Sequence, residues 1–254
     1  MKEFSLKGKV AIITGASRGI GEAIAFAYSA LGADCVLASR KEELLKETAA
    51  KIESQTGKKP LVIATHVAKS DQLAYLVNAT LETFGQIDIL VNNAATNPVF
   101  GPSLDCDEAA WGKIMDVNLK GPFFLTKLVS EEMKKRGYGK VVNLASVAGY
   151  RVMPGLGIYS ISKAGVIMMT KVLAFELGSF GIRVNAIAPG LVKTKFSQAL
   201  WSDDDILKEA LKFQPLQRLL EPPDIVGAAI FLALPISDAI TGQVFTVDGG
   251  RNLV

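Results

Sequence analysis

Short apolar runs and longer periodic stretches alternate along the chain. The short runs are rich in β-branched residues, which is typical of strands buried on both faces of a sheet. In the longer stretches apolar residues recur every three or four positions, as they do on one face of a helix. Strands are predicted over residues 10–14, 35–38, 61–65, 87–91, 141–144, 184–188 and 244–247. Helices are predicted over residues 23–31, 41–54, 71–84, 108–136 and 162–180.

The alternation of strands and helices predicts an α/β fold, a single Rossmann-type doubly wound parallel sheet flanked by helices on both faces. No internal repeat, low-complexity tract or shift in composition divides the sequence. We therefore expect one domain over residues 1–254.

One long stretch, residues 190–223, interrupts the alternation and contains a short predicted helix near 203–212. Long insertions after the carboxyl end of a strand often cover a binding site. We therefore predict a substrate lid at about residues 190–222. The alternative is that this segment packs an interface between subunits.

Composition and charge exclude several kinds of partner. The chain is 49% hydrophobic and has a net charge of +3, without the basic, aromatic stripe that nucleic-acid binding requires. It shows no apolar leader segment and no apolar stretch of about 18 residues that would span a membrane. Cys35 and Cys106 lie far from each other and from His66, so no metal site or disulfide is predicted. The expected location is cytoplasmic.

A glycine-rich turn follows the first predicted strand, with the sequence Thr-Gly-Ala-Ser-Arg-Gly-Ile-Gly over residues 14–21. Glycines allow the backbone to approach a pyrophosphate at the start of the next helix, where free N–H groups favour anions. The turn predicts a dinucleotide site, although glycines also serve ordinary tight turns. Its candidate residues are Gly15, Ser17, Arg18, Gly19, Ile20 and Gly21.

The end of the second strand indicates which dinucleotide is bound. An acidic residue there would hydrogen-bond the adenosine ribose, but this chain has Ser39 and Arg40. Arg40, together with Arg18, can offer charge-assisted hydrogen bonds to a 2′-phosphate. NADP(H) is therefore the predicted cofactor. If both arginines are only solvated surface charges, this preference has no basis.

Tyr159 and Lys163 are four residues apart at the start of a helical pattern, which places them on one helix face. A free tyrosine has a pKa of about 10. An ammonium and an oxidised nicotinamide nearby would both lower this pKa, so Tyr159 becomes the candidate proton donor and acceptor. Ser146 lies just after a predicted strand, where its hydroxyl could bond the substrate oxygen and hold the phenol. Asn118, flanked by apolar residues inside a predicted helix, is either functional or a satisfied core amide.

Together these residues resemble the short-chain dehydrogenase/reductase family from about residue 6 to residue 251. The glycine-rich motif of the family corresponds to residues 14–21, and its Asn-Asn-Ala-Gly motif corresponds to residues 92–95, where Ala95 replaces the last glycine. The catalytic tetrad of the family corresponds to Asn118, Ser146, Tyr159 and Lys163. The resemblance implies that the lysine binds the nicotinamide ribose and that the asparagine organises a water chain for proton relay.

The resemblance also implies further cofactor contacts. Residues 189–194 resemble the segment that lies beside the nicotinamide carboxamide, with contacts from the Val192 backbone and the Thr194 hydroxyl. Most members have Asp-Val after the third strand, beside the adenine, but this chain has His66 and Val67. The additional cofactor residues are therefore His66, Val67, Asn93, Ala94, Tyr159, Lys163, Pro189, Gly190, Val192 and Thr194.

Within the family, residues 66–69, 93–101 and 188–201 resemble the dehydrogenase/reductase member 4-like carbonyl reductases. Those enzymes use NADPH and form homotetramers, so the resemblance implies a carbonyl or alcohol substrate and four subunits. Large apolar residues in the segments expected around the pocket favour a bulky or aromatic carbonyl compound. These residues are Phe100, Tyr150, Met153, Leu156, Phe196, Leu200 and Trp201.

Two other functions remain open on the sequence. A 3-oxoacyl-acyl-carrier-protein reductase shares the tetrad, but such reductases usually have a basic residue where Phe180 precedes Gly181. A basic run at residues 134–136 could still dock an acidic carrier, although a solvated helix end explains it equally well. A dinucleotide-binding scaffold without catalysis is the third possibility, and the filled tetrad argues against it.

Overall fold

Seven parallel strands form one sheet in the computed structural model, which describes residues 4–212 and 214–253. The strands are β1 Val10–Thr14, β2 Asp34–Ser39, β3 Leu61–Ala64, β4 Ile89–Asn92, β5 Gly139–Leu144, β6 Ile182–Pro189 and β7 Val244–Val247. Their order across the sheet is β3-β2-β1-β4-β5-β6-β7. The apolar runs of the sequence thus become central strands, and every residue of β1, β4 and β5 is buried.

Helices cover both faces of the sheet and create two separate apolar cores. They are α1 Gly19–Ala30, α2 Glu42–Thr56, α3 Ser70–Phe84, α4 Glu108–Met115, α5 Gly121–Arg136, α6 Gly157–Leu177, α7 Asp204–Leu211 and α8 Pro222–Ala233. Leucines, valines and isoleucines of α3, α5 and α6 fill the core on one face. Side chains of α1, α2 and α8 fill the core on the other. The predicted doubly wound parallel sheet is confirmed.

The helices differ from the sequence prediction in several places. Helix α1 begins at Gly19 rather than at residue 23. The helix predicted over residues 108–136 is interrupted by a π-helical turn, Asp116–Lys120, in which the Gly121 N–H donates to the Asp116 carbonyl. Helix α6 begins at Gly157 rather than at residue 162. Helix α8 is absent from the sequence prediction. It begins at a proline and carries few polar residues, so its helical period is weak.

Helix α6 also tests the expectation that no segment could span a membrane. With the short turn that follows it, Gly157–Phe180, this helix is long and apolar enough to do so. However, α6 packs on the sheet, and 56% of its most apolar window is buried. Burial against β5 and β6 therefore explains its apolar composition without a membrane.

The strand order reverses between β1 and β4, which are neighbours in the sheet. Because the chain leaves these two strands toward helices on opposite faces, a crevice opens at their carboxyl ends. The glycine-rich turn follows β1, the motif at residues 92–95 lies at the end of β4, and Ser146, Tyr159 and Lys163 follow β5, whereas Asn118 lies in the π-helical turn. The fold therefore brings the sequence candidates to one edge of the sheet.

Candidate active site

A cleft of about 690 Å³ runs along the carboxyl ends of the strands. It takes residues from the turns after β1, β2, β3, β4, β5 and β6 and from the first turns of α6. All but two of the residues predicted for the site line it, the exceptions being Gly21 and Asn118. The predicted residues in the cleft wall are Gly15, Ser17, Arg18, Gly19, Ile20, Ser39, Arg40, His66, Val67, Asn93, Ala94, Ser146, Tyr159, Lys163, Pro189, Gly190, Val192 and Thr194.

The glycine-rich turn depends on the absence of a side chain at three positions. Gly15 and Gly19 have φ values of +66° and +63°, a backbone region that favours glycine. At Gly21 the backbone is ordinary, but a Cβ would lie 2.5 Å from the Gly15 carbonyl oxygen. Gly21 therefore supports the turn from behind, by allowing the helix to pack closely against it, and does not face the cleft.

Asn93 and Thr14 lock this turn to the neighbouring strand end. The Asn93 side-chain amide donates to the carbonyl oxygens of Thr14 and Gly15, at 2.9 and 3.2 Å. The Thr14 hydroxyl accepts from the Asn93 and Ala94 N–H groups, at 3.0 and 3.1 Å. These four bonds fix the floor of the cleft before any ligand binds.

At the end of β2, the cleft has the features that a phosphate monoester would need. The Ser39 hydroxyl is buried and has no hydrogen-bond partner among the described residues. Arg40 and Arg18 are exposed beside it on the cleft wall. An unpartnered buried hydroxyl costs free energy that a bound oxygen would recover. The residues present therefore fit a 2′-phosphate.

His66 takes the position at which the family usually has an aspartate. The backbone N–H of His66 donates to the Gln72 side-chain oxygen at 2.6 Å. The imidazole Nδ1 of His66 accepts from the Ala68 backbone N–H at 3.2 Å. Burial lowers the pKa of His66, and the positive charges of Arg40 and Lys69 lower it further. A neutral imidazole therefore replaces an acidic side chain at this end of the cleft.

Tyr159, Ser146 and Lys163 come together where β5 ends and α6 begins. The Ser146 hydroxyl accepts from the Ala148 N–H at 3.1 Å, which orients it at the strand end. The Lys163 Nζ donates to the Leu144 carbonyl oxygen at 2.6 Å and lies 5.6 Å from the centre of the Tyr159 ring. The predicted helix-face pair thus points into the cleft.

The ammonium of Lys163 was expected to help lower the pKa of Tyr159, but burial of the phenol outweighs it. Burial raises the pKa of Tyr159 to about 12, and only the hydrogen bond with Ser146 acts in the opposite direction. Burial also lowers the pKa of Lys163 to about 8. The expected fall in the Tyr159 pKa relied on the ammonium and an oxidised nicotinamide together. Protein groups alone keep the phenol protonated at neutral pH.

Asn118 lies behind the cleft, in the π-helical turn, and is only 1% exposed. Its side-chain oxygen accepts from the Thr96 N–H at 2.8 Å, while its amide donates to the Thr96 carbonyl and to the Ser162 hydroxyl, both at 3.0 Å. Both amide hydrogens are therefore used by protein partners. The side chain ties the loop after β4 to helix α6 and positions the wall that carries Tyr159.

The segment after β6 closes the cleft from the other side. The Thr194 methyl group lies 3.2 Å from the position that a Cβ on Gly19 would occupy, so this segment meets the glycine-rich turn. The Trp201 indole N–H bonds the Thr194 carbonyl at 3.1 Å and thereby holds the beginning of the predicted lid. Phe196 extends from this segment over Tyr159, with 5.8 Å between the ring centres.

Five of the seven apolar residues predicted around the substrate line the cleft: Phe100, Met153, Leu156, Phe196 and Leu200. The other two do not. Tyr150 is 46% exposed, and Trp201 is engaged in the lid bond described above. Two further cations line the cleft, Lys195 and Arg251, and they could not be predicted from the sequence because no motif marks them.

The charged side chains of the described residues that line the cleft are all positive. Seven lysine and arginine residues line it, and no aspartate or glutamate among the described residues does so. A cleft with one sign of charge concentrates ligands of the opposite sign. The cationic residues are Arg18, Arg40, Lys41, Lys113, Lys163, Lys195 and Arg251.

Comparison with known sequences agrees with the motifs. Residues 15–252 match the family model described as enoyl-(acyl carrier protein) reductase. Human dehydrogenase/reductase SDR family member 4 is 41% identical over 248 residues, which cover 96% of this chain and 88% of the human protein. The Caenorhabditis elegans protein of the same name is 40% identical over 247 residues, covering 96% and 95% of the two chains.

Solved structures share the complete fold. A protein from Sinorhizobium meliloti 1021, assigned as a short-chain alcohol dehydrogenase, is 40% identical with a TM-score of 0.93, and 98% of each chain is covered. Levodione reductase is 31% identical with a TM-score of 0.94, covering 98% of this chain and 99% of the other. A Beutenbergia cavernae protein, assigned as an NAD(P)-dependent gluconate 5-dehydrogenase and containing NADP at low occupancy, is 33% identical with a TM-score of 0.94, covering 99% and 100%.

Proposed function

Because the chain belongs to the short-chain dehydrogenase/reductase family, we propose that it is an NADP(H)-dependent oxidoreductase that interconverts a carbonyl compound and an alcohol. The observation that supports this most strongly is that Tyr159, Ser146 and Lys163 line the same cleft as the glycine-rich turn. The substrate we propose is a bulky or aromatic ketone or aldehyde, in keeping with the apolar wall of Phe100, Met153 and Leu156.

The proposed chemistry divides between the cofactor and the protein. A bound nicotinamide cofactor supplies or accepts the hydride. In the reductive direction the Tyr159 phenol donates its proton to the carbonyl oxygen, and the Ser146 hydroxyl donates a hydrogen bond to the same oxygen. The raised pKa of Tyr159 keeps this proton in place at neutral pH. The Lys163 ammonium donates to the Leu144 carbonyl and lies beside the Tyr159 ring, and we propose that it binds the nicotinamide ribose.

The preference for NADP(H) is supported by the end of β2. Ser39 offers an unpartnered buried hydroxyl, and Arg40 and Arg18 offer positive charge for a 2′-phosphate. The neutral His66 adds no negative charge that would repel this phosphate. The NADP in the Beutenbergia cavernae structure supports the same cofactor class.

The proposal predicts that Tyr159→Phe loses nearly all turnover of an aromatic diketone with NADPH and retains NADPH binding. The substitution removes only the hydroxyl that donates the proton. We would measure the initial rate by NADPH absorbance and the cofactor affinity by fluorescence titration. Turnover within a few fold of the wild-type rate would contradict the role of Tyr159.

A second candidate, reduction of an acyl chain on a carrier protein, is favoured by the name of the matching family model. The basic run that could dock an acidic carrier is largely occupied within the chain. Lys134 pairs with Glu131 at 3.0 Å, Lys135 pairs with Glu132, and Arg136 lies 3.3 Å from Asp88. A carrier would have to compete with these ion pairs, so we favour a free carbonyl substrate.

We also propose that the protein acts as a homotetramer in the cytoplasm. Support for association comes from helices α5 and α6, which expose a set of large apolar side chains to solvent. Met168, Val172 and Phe175 are three or four residues apart and therefore share one face of α6, and an exposed apolar face is typical of a protein interface. The residues are Phe123, Phe124, Ile161, Met168, Val172 and Phe175.

A further inference from the structure

Arg251 is a cation that the proposed function leaves without a role. It lines the cleft and lies four residues after β7, in a short turn that follows two glycines of positive φ, Gly249 and Gly250. The described residues supply no ion pair to its guanidinium. A partly buried arginine without a counter-ion in a binding cleft is suited to an anionic ligand.

Asp248 is the acidic group nearest in sequence, but its carboxylate is already used. One oxygen accepts from the Gly250 N–H at 2.9 Å, and the other accepts from the Asn252 N–H at 2.7 Å. The carboxylate therefore holds the backbone of the turn that presents Arg251. Burial and the charge of Arg151 lower the pKa of Arg251, while Asp248 raises it. Because no carboxylate of the described residues forms an ion pair with the guanidinium, it remains available to a ligand.

The position of Arg251 is on the substrate side of the cleft. Its carbonyl oxygen accepts from the Arg151 guanidinium at 2.9 Å, which ties it to the loop that carries Met153. The Leu216 N–H donates to the Gly249 carbonyl at 3.1 Å, which ties the same turn to the predicted lid. The cations at the end of β2 lie at the other end of the cleft, beside the glycine-rich turn.

Lys195 adds a second positive charge on this side. It lines the cleft, is exposed, and forms no ion pair with the described residues. Its neighbour Phe196 contacts the Tyr159 ring, which places this part of the chain beside the proton donor. Arg251 and Lys195 therefore approach the substrate region from two different segments.

We infer that the substrate carries a carboxylate, which Arg251 binds with help from Lys195 while the carbonyl group lies at Tyr159. This inference rests on the proposed function. The planar guanidinium matches a carboxylate with two parallel hydrogen bonds, and no aspartate or glutamate of the described residues lines the cleft. The substrate is then an oxo acid or hydroxy acid whose remaining carbon skeleton contacts the apolar wall.

Ligand binding tests the carboxylate site without requiring turnover. The full-length protein, saturated with NADPH so that the cations of the cofactor end are occupied, is titrated calorimetrically with 4-phenylbutanoate and with 4-phenylbutanamide. We expect the carboxylate to bind about tenfold to a hundredfold more tightly than the amide, as for a charge-assisted hydrogen bond. Equal affinities for the two ligands would overturn the inference.

Substitutions of Arg251 and Lys193 show which residue causes the preference for the carboxylate. Arg251→Gln should remove most of the difference in affinity between the carboxylate and the amide, whereas Arg251→Lys should keep a larger part of it. Unchanged NADPH affinity in both variants shows that the fold is intact. Lys193→Gln removes a charge from the same lid outside the cleft wall and should leave the preference unchanged. A preference that is undiminished in Arg251→Gln assigns the carboxylate elsewhere and refutes the role of Arg251.

Turnover separates this inference from the proposed function. With NADPH, 4-oxo-4-phenylbutanoate should be reduced at least about tenfold more efficiently than its amide, and Arg251→Gln should remove the difference. Reduction of the amide and the acid at the same rate leaves the reductase intact and overturns the carboxylate site. Carboxylate binding that depends on Arg251, without reduction of either ketone, supports the site and contradicts the reductase.

Discussion

Lys163 is a buried lysine, and its burial makes the charged form of its side chain less stable. Burial lowers its pKa to about 8, whereas an unfolded lysine titrates near about 10.4. Between these pH values the unfolded chain holds a proton that the folded chain has released, so stability rises with pH across this interval. Below about pH 8 the folded chain holds a buried ammonium, and its cost is present in full.

The Lys163→Met variant tests this linkage. Without cofactor, the free energy of unfolding of the wild type should rise relative to the variant by about 2 kcal/mol between pH 8 and pH 10. Urea denaturation at several pH values measures the difference. Lys171→Met, an exposed position on the same helix, is the control and should show no such trend. A difference between wild type and Lys163→Met that stays constant with pH would contradict the lowered pKa.

We assign the proposed preference for NADP(H) mainly to Arg40. Arg40→Asp would place a negative charge where we propose the 2′-phosphate, so NADPH binding should weaken by about tenfold to a hundredfold while NADH binding changes little or improves. Added salt should reduce the wild-type preference. Lys59→Asp, an exposed change outside the cleft wall, should leave both affinities unchanged. Equal catalytic efficiency of the wild type with both cofactors at low ionic strength would mean that the arginines are surface charges.

At the scale of elements, the junction of β1 and α1 depends on close packing at Gly21. A Cβ there would lie 2.5 Å from both the Gly15 carbonyl oxygen and the Asn93 side-chain nitrogen. Gly21→Ala should therefore destabilise the fold by about 1–3 kcal/mol and weaken NADPH binding, because the turn must move. Gly112→Ala in α4, where no atom lies within 4 Å of the new Cβ, is the control. Similar thermal stability and cofactor affinity of the two variants would show that the turn tolerates the displacement.

Some secondary-structure elements could be predicted from the sequence and others could not. The strands could be predicted because each is a short apolar run, and the glycine-rich turn could be placed because it lies between such a run and a helical period. The π-helical turn at Asp116–Lys120 could not, since the apolar period of α4 and α5 continues through it. The network in which Asn92 donates to Asn143 and Asn143 donates to Thr170 was likewise missed, because these contacts join three distant elements.

In the candidate site, residues in short motifs could be predicted from the sequence, whereas residues that tertiary contacts bring to the cleft could not. Tyr159, Lys163 and the glycine-rich turn belong to short motifs, so their chemistry could be read along the chain. Arg251 and Lys195 reach the cleft only because β7 and β6 are neighbours in the sheet and their following segments meet above it. The pKa of Tyr159 depends on burial, which no spacing in the sequence reveals.

At the scale of the whole molecule, the exposed apolar surface of α5 and α6 bears on assembly. Phe175 is 91% exposed in the single chain, which is costly for a large aromatic side chain unless another subunit covers it. We predict a tetramer of the wild type in light scattering coupled to gel filtration. Phe175→Glu should shift the protein toward smaller species, whereas Lys59→Glu, an exposed change outside α5 and α6, serves as the control. A monomeric wild type at micromolar concentration would contradict the proposed assembly.

The most direct test of the proposed chemistry follows the transferred hydrogen. NADPH deuterated at the transferable C4 position is incubated with the wild-type protein and an aromatic diketone, and the alcohol is analysed by mass spectrometry and NMR. We predict one deuterium on the carbinol carbon, formed much faster than with deuterated NADH and not formed by Tyr159→Phe. An alcohol without deuterium on that carbon, or no alcohol with either cofactor, would contradict the assignment as an NADP(H)-dependent carbonyl reductase.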